Sequence, residues 1–134
     1  MASPVYVTDT ALNDSDKSMT VPANRRYKMM GGLAKLITSA DVGNRQIELR
    51  VTDGTNTIFA ITANGTQAAS LTKYYHFILG TDAPAAEASD IFVCPIPMGL
   101  WLPPSFTVQV LDTAAVAATA DDLTLRFLFD SEYS

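Results

Sequence analysis

A chain of 134 residues, 48% apolar and 17% charged, has the size of one hydrophobic core and is too apolar to stay unfolded. Its formal charge of −5 and isoelectric point near 4.6 set up a negative field that opposes phosphate backbones and anionic membranes, which argues against nucleic-acid or membrane partners. The nine Lys and Arg are scattered, Arg25-Arg26 being the closest pair, and the single cysteine, Cys94, excludes an internal disulfide and a cysteine metal cluster.

Met1-Ala2-Ser3-Pro4 carries neither the basic opening nor the apolar stretch of a secretory signal. No later apolar run reaches the ~18 residues of a membrane span. The expectation is a protein made in, and kept in, a cytosol. Residues 1–17 read as a short, extended N-terminal arm around a strand at Val5 to Thr8. Asn13-Asp14-Ser15-Asp16 opens like a calcium loop, but it lacks the glycine and the distal glutamate that complete one, so it reads as a solvated loop.

A strand at Met19 to Val21 is followed by a long one at Tyr27 to Thr38, whose alternation slips across Gly31-Gly32 and so predicts a bulge or sharp bend. After the turn Val42-Gly43-Asn44, the segment Arg45 to Val51 alternates: Ile47, Leu49 and Val51 face one side and Gln46, Glu48 and Arg50 the other. Asp53-Gly54 and Asn64-Gly65 are strong turn dipeptides on either side of a strand at Thr57 to Ala63. Asn64-Gly65-Thr66 also matches a glycosylation acceptor, and without a secretory signal it reads as a turn.

Further strands follow at Leu71 to Leu79 and Ile91 to Pro95. Pro95, Pro97, Pro103 and Pro104 bar that region from the middle of a sheet and predict an edge or crossing segment. Clean alternation returns at Phe106, Val108 and Val110, and at Leu123, Leu125, Phe127 and Phe129. The small-residue stretches Thr81 to Ser89 and Thr113 to Ala120 read as surface loops, the second being too short for a helix without packing. Turn-separated strands without a long amphipathic helix predict one all-β domain over residues 1–134. The form expected is an antiparallel sandwich, a jelly roll of about eight strands.

The chemistry-bearing residues form no familiar machinery. His76, the sole histidine, sits in Lys73-Tyr74-Tyr75-His76-Phe77 with no nucleophile motif beside it and reads as structural. Cys94, flanked by Val93 and Pro95, reads as a small buried hydrophobe. Asp14 with Asp16, and Asp121 with Asp122, could offer oxygens to calcium or two carboxylates to a glycosidase, yet nothing places either pair across a ligand. Met30-Gly31-Gly32-Leu33 lacks the spacing of a nucleotide loop. A non-enzymatic protein without cofactor or metal is therefore expected. Trp101, in Met98-Gly99-Leu100-Trp101-Leu102-Pro103-Pro104, suits a protein contact because a large flat ring desolvates much area at low entropy cost. Met98, Leu100, Trp101, Arg25 and Arg26 are the candidate contact residues. A sugar platform of Trp101, Tyr74, Tyr75 and Tyr133 is the rival from another class.

Several phrases together resemble small virion proteins of tailed bacteriophages: Val21-Pro22-Ala23-Asn24, Tyr27-Lys28-Met29, Val42-Gly43-Asn44-Arg45-Gln46-Ile47-Glu48-Leu49, Asp53-Gly54, and Leu100-Trp101-Leu102-Pro103-Pro104. The resemblance spans roughly residues 18 to 130, and Gly43-Asn44-Arg45-Gln46 is its most specific element. It departs at Asn24-Arg25-Arg26, where a glycine and an aromatic are common. It implies a jelly-roll capsid cement or decoration protein, made in the host cytoplasm and carried on the capsid surface of the virion. The implied partners are the major capsid protein and copies of itself, as dimer or trimer. A tail, baseplate or head-fibre component is the structural alternative.

Overall fold

The computed structural model describes residues 3–13, 17–63, 65–80, 91–114, 116 and 120–133. Among them the chain forms strands and no helix: β1 (Ser3–Asn13), β2 (Lys17–Thr20), β3 (Arg25–Ile37), β4 (Ile47–Thr52), β5 (Thr57–Thr62), β6 (Thr72–Leu79), β7 (Ile91–Ile96), β8 (Trp101–Leu102), β9 (Thr107–Asp112) and β10 (Asp122–Tyr133). The alternating segments bury the residues that the pattern selects: Ile47, Leu49 and Val51 on β4, Val108 and Val110 on β9, and Leu123, Leu125, Phe127 and Phe129 on β10. The expected N-terminal arm is strand β1, paired with β10 from Ser3 opposite Ser131 to Asn13 opposite Leu123.

One sheet runs β1-β10-β3-β6-β7, with β8 also paired to β3, and the other runs β2-β9-β4-β5. Every pairing is antiparallel except that of β6 with β7. Four pairings are nested, β4 with β5, β3 with β6, β2 with β9 and β1 with β10, as in one long hairpin rolled upon itself. With β7 and β8 set aside, this winding is compatible with an eight-stranded jelly roll. The two additions account for the excess over the expected strand count. β8 has two residues, and β7 lies at a sheet edge with Pro95 inside it, a position that needs no ladder donor.

Between the sheets, Phe77, Phe127, Phe129 and Tyr27 form a chain of rings with successive centroids 5.8, 4.9 and 5.5 Å apart. Tyr75 stacks on Phe92 at 5.1 Å. Such contacts add about 0.5–1.5 kcal/mol per pair to the burial itself. The Gly31-Gly32 slip is a bulge: Leu128 faces Gly31 and Phe129 faces Met29, so Met30 is the extra residue. Gly32 is required by contact, because a Cβ there would lie 2.5 Å from a Phe127 ring carbon and 2.9 Å from the Arg126 carbonyl oxygen. Asn24 adopts a left-handed φ of 65° in the turn before β3, a conformation asparagine accepts more readily than most non-glycine residues.

The Asp53-Gly54 turn forms as read. Asp53 N–H donates to the Asn56 carbonyl, and Asp53 Oδ1 accepts from Thr55 and Asn56 N–H at 2.9 and 2.7 Å. Those backbone donors, Asn56 first, hold the Asp53 carboxyl below the usual carboxylate range. Asn64 of the second turn dipeptide, Asp14, Asp16, Thr81 to Ser89 and half of Thr113 to Ala120 lie outside the described residues.

One end of the sandwich is closed by a buried ion pair. Arg45 Nε and Nη2 donate to the two carboxylate oxygens of Asp121 at 2.7 and 3.0 Å, and both side chains are 0% exposed. Arg45 Nη1 donates to the carbonyls of Asp41 and Gly43, and Ser39 N–H donates to Asp121 Oδ1. Burial pushes the Asp121 carboxyl up, but the Arg45 guanidinium and the Ser39 donors outweigh it and hold it below its ordinary value. The same pairing raises Arg45. The Arg45 backbone exchanges two bonds with Gln67, whose amide nitrogen reaches the Leu36 and Leu71 carbonyls and whose oxygen accepts from Tyr75 Oη.

Two outcomes follow from these contacts. Gly32→Ala overpacks the Phe127 ring and lowers unfolding free energy by about 1–3 kcal/mol in urea titration. Asp121→Asn strands a buried guanidinium and costs about 3–5 kcal/mol. Because folding depresses the Asp121 pKa, its stabilisation is complete above the unfolded value of 3.8 and is lost as pH falls through the lower folded value. Thermal melts of the wild type therefore decline below that pH more steeply than those of Asp121→Asn.

Candidate protein-contact face

The alternation that sends Phe127 and Phe129 inward sends Arg126 and Leu128 outward, and the outer surface of the six-stranded sheet carries several exposed apolar residues. Tyr6 and Leu128 are cross-strand partners on β1 and β10 and are 61% and 43% exposed. Met30, Ile37, Ile78 and Ile91 extend the exposed apolar area across β3, β6 and β7. The outer surface of the four-stranded sheet is polar instead. There Thr20 and Thr107 share a hydroxyl bond at 3.1 Å, Glu48 pairs with Arg50 at 2.6 Å, and Thr62 lies beside Glu48. Exposed apolar residues set side by side on a sheet are a feature of surfaces that accept a partner, which makes this the candidate face.

Charge divides the same way. Arg45 and Lys17 are buried and Arg50 is held by Glu48, whereas Arg25, Arg26, Lys28, Lys35, Lys73 and Arg126 all lie on β3, β6 and β10 of the six-stranded sheet. On its outer surface Arg26, Lys28, Lys35 and Arg126 meet Asp122, Asp130 and Glu132, so the face is close to neutral on a molecule of net charge −5. A groove of about 410 Å³ runs along this face, walled by Thr10, Leu33, Lys35, Tyr74, Thr124 and Arg126. Lys35 Nζ lies 5.7 Å from the Tyr74 ring centroid, and Arg126 Nη1 donates weakly to Tyr6 Oη at 3.4 Å.

The sequence-selected contact residues fall at one end of this sheet, in three groups. Trp101 pairs with Lys28 in the β3–β8 ladder, and its ring carries the Arg26 guanidinium at 4.7 Å and the Lys28 ammonium at 5.0 Å. Arg26 also pairs with Glu132. Arg25, one residue away, points to the other side, donates to Ser131 Oγ at 2.9 Å and stacks over Tyr133 at 4.4 Å. Met98, 70% exposed, and Leu100 belong to the connection between β7 and β8. Arg26 and Trp101 thus form one unit of the face, and Arg25 does not join it.

Burial bears on the other readings. Tyr75 cannot serve a sugar platform: it is fully buried, and desolvation raises its hydroxyl well above the usual tyrosine range. Asp121 and Asp122 are not a ligand pair, because Asp121 is locked to Arg45 and Asp122 borders the outer groove. His76 has Leu33 and Val93 as cross-strand neighbours, and Cys94 is buried. Among the described residues no group of three or more His, Cys, Asp or Glu is placed to hold a metal ion. Sequence reasoning does not reach Tyr6, Leu128, Lys35 and Arg126. The signal it offers is Leu128, an apolar residue at a position where the alternation of β10 calls for a polar one.

Compared with known protein families, curated proteins and solved structures, the chain matches none of them.

The face is spare to folding. Replacing Tyr6 and Leu128 by serine costs less than about 1 kcal/mol in urea unfolding, whereas Leu125→Ala, directed into the core, costs about 2–5 kcal/mol.

Proposed function

We propose that this chain is a structural virion protein of a tailed bacteriophage, a non-enzymatic decoration protein that binds the capsid exterior and stabilises the head. The observation that carries the reading is the outer face of the six-stranded sheet: it bears exposed apolar residues, is nearly neutral and grooved, and among the described residues nothing packs over it. A specific protein interface has an apolar centre with charged and aromatic groups at its rim. Tyr6, Leu128 and Ile78 supply the first, and Arg26, Lys28, Trp101 and Glu132 supply the second. The resemblance of Val42 to Leu49 and of Leu100 to Pro104 to phage virion proteins supports the major capsid protein as the partner. A decoration protein needs no chemistry, because binding only the assembled shell stabilises that shell by linkage.

The protein-contact reading is favoured over sugar binding by the state of the aromatics. Trp101 already bears two cations and Tyr75 is buried. The test is binding of the purified protein to expanded heads of the phage whose genome encodes it. Saturable binding at micromolar concentration, on the order of hundreds of copies per head, with a raised disruption temperature, is expected. Tyr6→Ser with Leu128→Ser should weaken binding by about tenfold or more at a folding cost below about 1 kcal/mol. Absence of binding overturns the reading, and a copy number near a dozen moves the protein to the tail, baseplate or head fibres.

A further inference from the structure

A two-sheet sandwich has four edges, and three of them are blunted here. β1 carries Pro4 and Asp9 with a register shift after Asp9. β7 carries Pro95. β2 has four residues and begins at Lys17, a charge turned inward and fully buried. Prolines, bulges, short length and inward-pointing charges are the devices by which natural sheets keep their edges from pairing. β5 closes the four-stranded sheet on the side away from β9, and its sequence, Thr57-Ile58-Phe59-Ala60-Ile61-Thr62, contains no charge, no proline and no glycine. Ile58 is 51% exposed.

The hydrogen-bonding row that β5 leaves unpaired among the described residues can be assigned. Ala63 N–H donates to the Ile47 carbonyl at 2.9 Å, in register with the β4–β5 ladder. In an antiparallel pair every second residue is hydrogen-bonded. Phe59 and Ile61, opposite Val51 and Leu49, are therefore the bonded positions. Ala60 and Thr62 direct their N–H and C=O groups away from the sheet, and Ile58 is the extra residue at the register shift between Val51 and Thr52.

We infer that β5 is the seam along which a second copy of this chain adds, antiparallel and across a twofold axis at Ala60, joining two four-stranded sheets into one. Twofold pairing sets Ala60 against its own copy and Ile58 against Thr62, which gives partners to the outward backbone groups of Ala60 and Thr62. The strand suits itself as a partner for two reasons. An uncharged strand meets no like charge when paired with its copy, and the small side chain at the axis leaves the sheets free to continue. The seam lies on the sheet opposite the proposed capsid-contact face, and the inference does not depend on that reading.

The test uses the purified full chain alone. Sedimentation velocity is expected to show a monomer–dimer equilibrium in the micromolar range. Ala60→Lys, which places two ammonium groups at the axis, and Ala60→Pro, which removes only an outward N–H, should each weaken the dimer by about tenfold or more while circular dichroism and melting temperature hold. Ala60→Cys should cross-link into a covalent dimer on mild oxidation, since the bonded-pair Cα separation of about 5.5 Å lies within disulfide reach, with buried Cys94 protected. A wild type that stays monomeric to high micromolar concentration overturns the inference. A dimer that survives Ala60→Lys, together with an Ala60→Cys variant that resists cross-linking, overturns it equally by placing the seam elsewhere.

Discussion

The bidentate pair of Arg45 with Asp121 is the constraint on which the rest of the architecture depends. Arg45 stands at the entry to β4 in one sheet, and Asp121 at the entry to β10 in the other. Their union therefore fixes how the two sheets meet at that end. It also organises the backbone around it, since the guanidinium takes up the Asp41 and Gly43 carbonyls and the carboxylate takes the Ser39 N–H. Through Gln67 the same network reaches Leu36 on β3, the Leu71 carbonyl and Tyr75 on β6. A buried ion pair adds little net stability compared with a well-packed apolar replacement, because desolvation offsets most of the Coulomb gain. Its effect is on uniqueness: each alternative packing of this end leaves a buried charge or amide without a partner, and such states are costly.

That network explains what is and is not legible in the chain. Strand alternation at Ile47 to Val51, Phe106 to Val110 and Leu123 to Phe129 reports burial directly, because side chains two apart share a face whatever the topology. The Gly31-Gly32 slip is legible for the same reason, as a break in an otherwise regular phase. Arg45 is not. An arginine at the start of a strand looks like a solvated charge, and its partner lies 76 residues away. Tyr74 and Tyr75 are equally opaque: both are tyrosines, flanked by Lys73 and His76, and only the sheet decides that one faces the core and the other the groove. Strand order lies beyond the pattern as well, since nested and sequential pairings bury the same residues.

The candidate face is harder still to read, because it is defined by a contrast between two surfaces. Singly exposed apolar residues are ordinary on any protein. Tyr6, Met30 and Leu128 acquire meaning when the ladder between β1, β10 and β3 sets them side by side, while the opposite sheet shows threonines and a Glu48–Arg50 pair. Trp101 stands out in the sequence, yet its setting is a cationic pocket made by Arg26 and Lys28, which turns an expected bare aromatic platform into part of a charged rim.

Placement of the apolar face and the open edge on different sheets has a consequence for assembly. A protein that covers a larger shell must contact the shell and, to reinforce it laterally, must also contact its own kind. If both contacts used one surface they would compete, and occupancy of the first would forbid the second. Here the apolar surface belongs to the six-stranded sheet and the uncharged edge β5 to the four-stranded one. The rigid closure by Arg45 and Asp121 holds the two sheets in fixed relation. Two weak contacts held on one rigid body act together, because making the first raises the effective concentration for the second. On the proposed reading, modest affinity at each surface is enough for firm attachment to an ordered array.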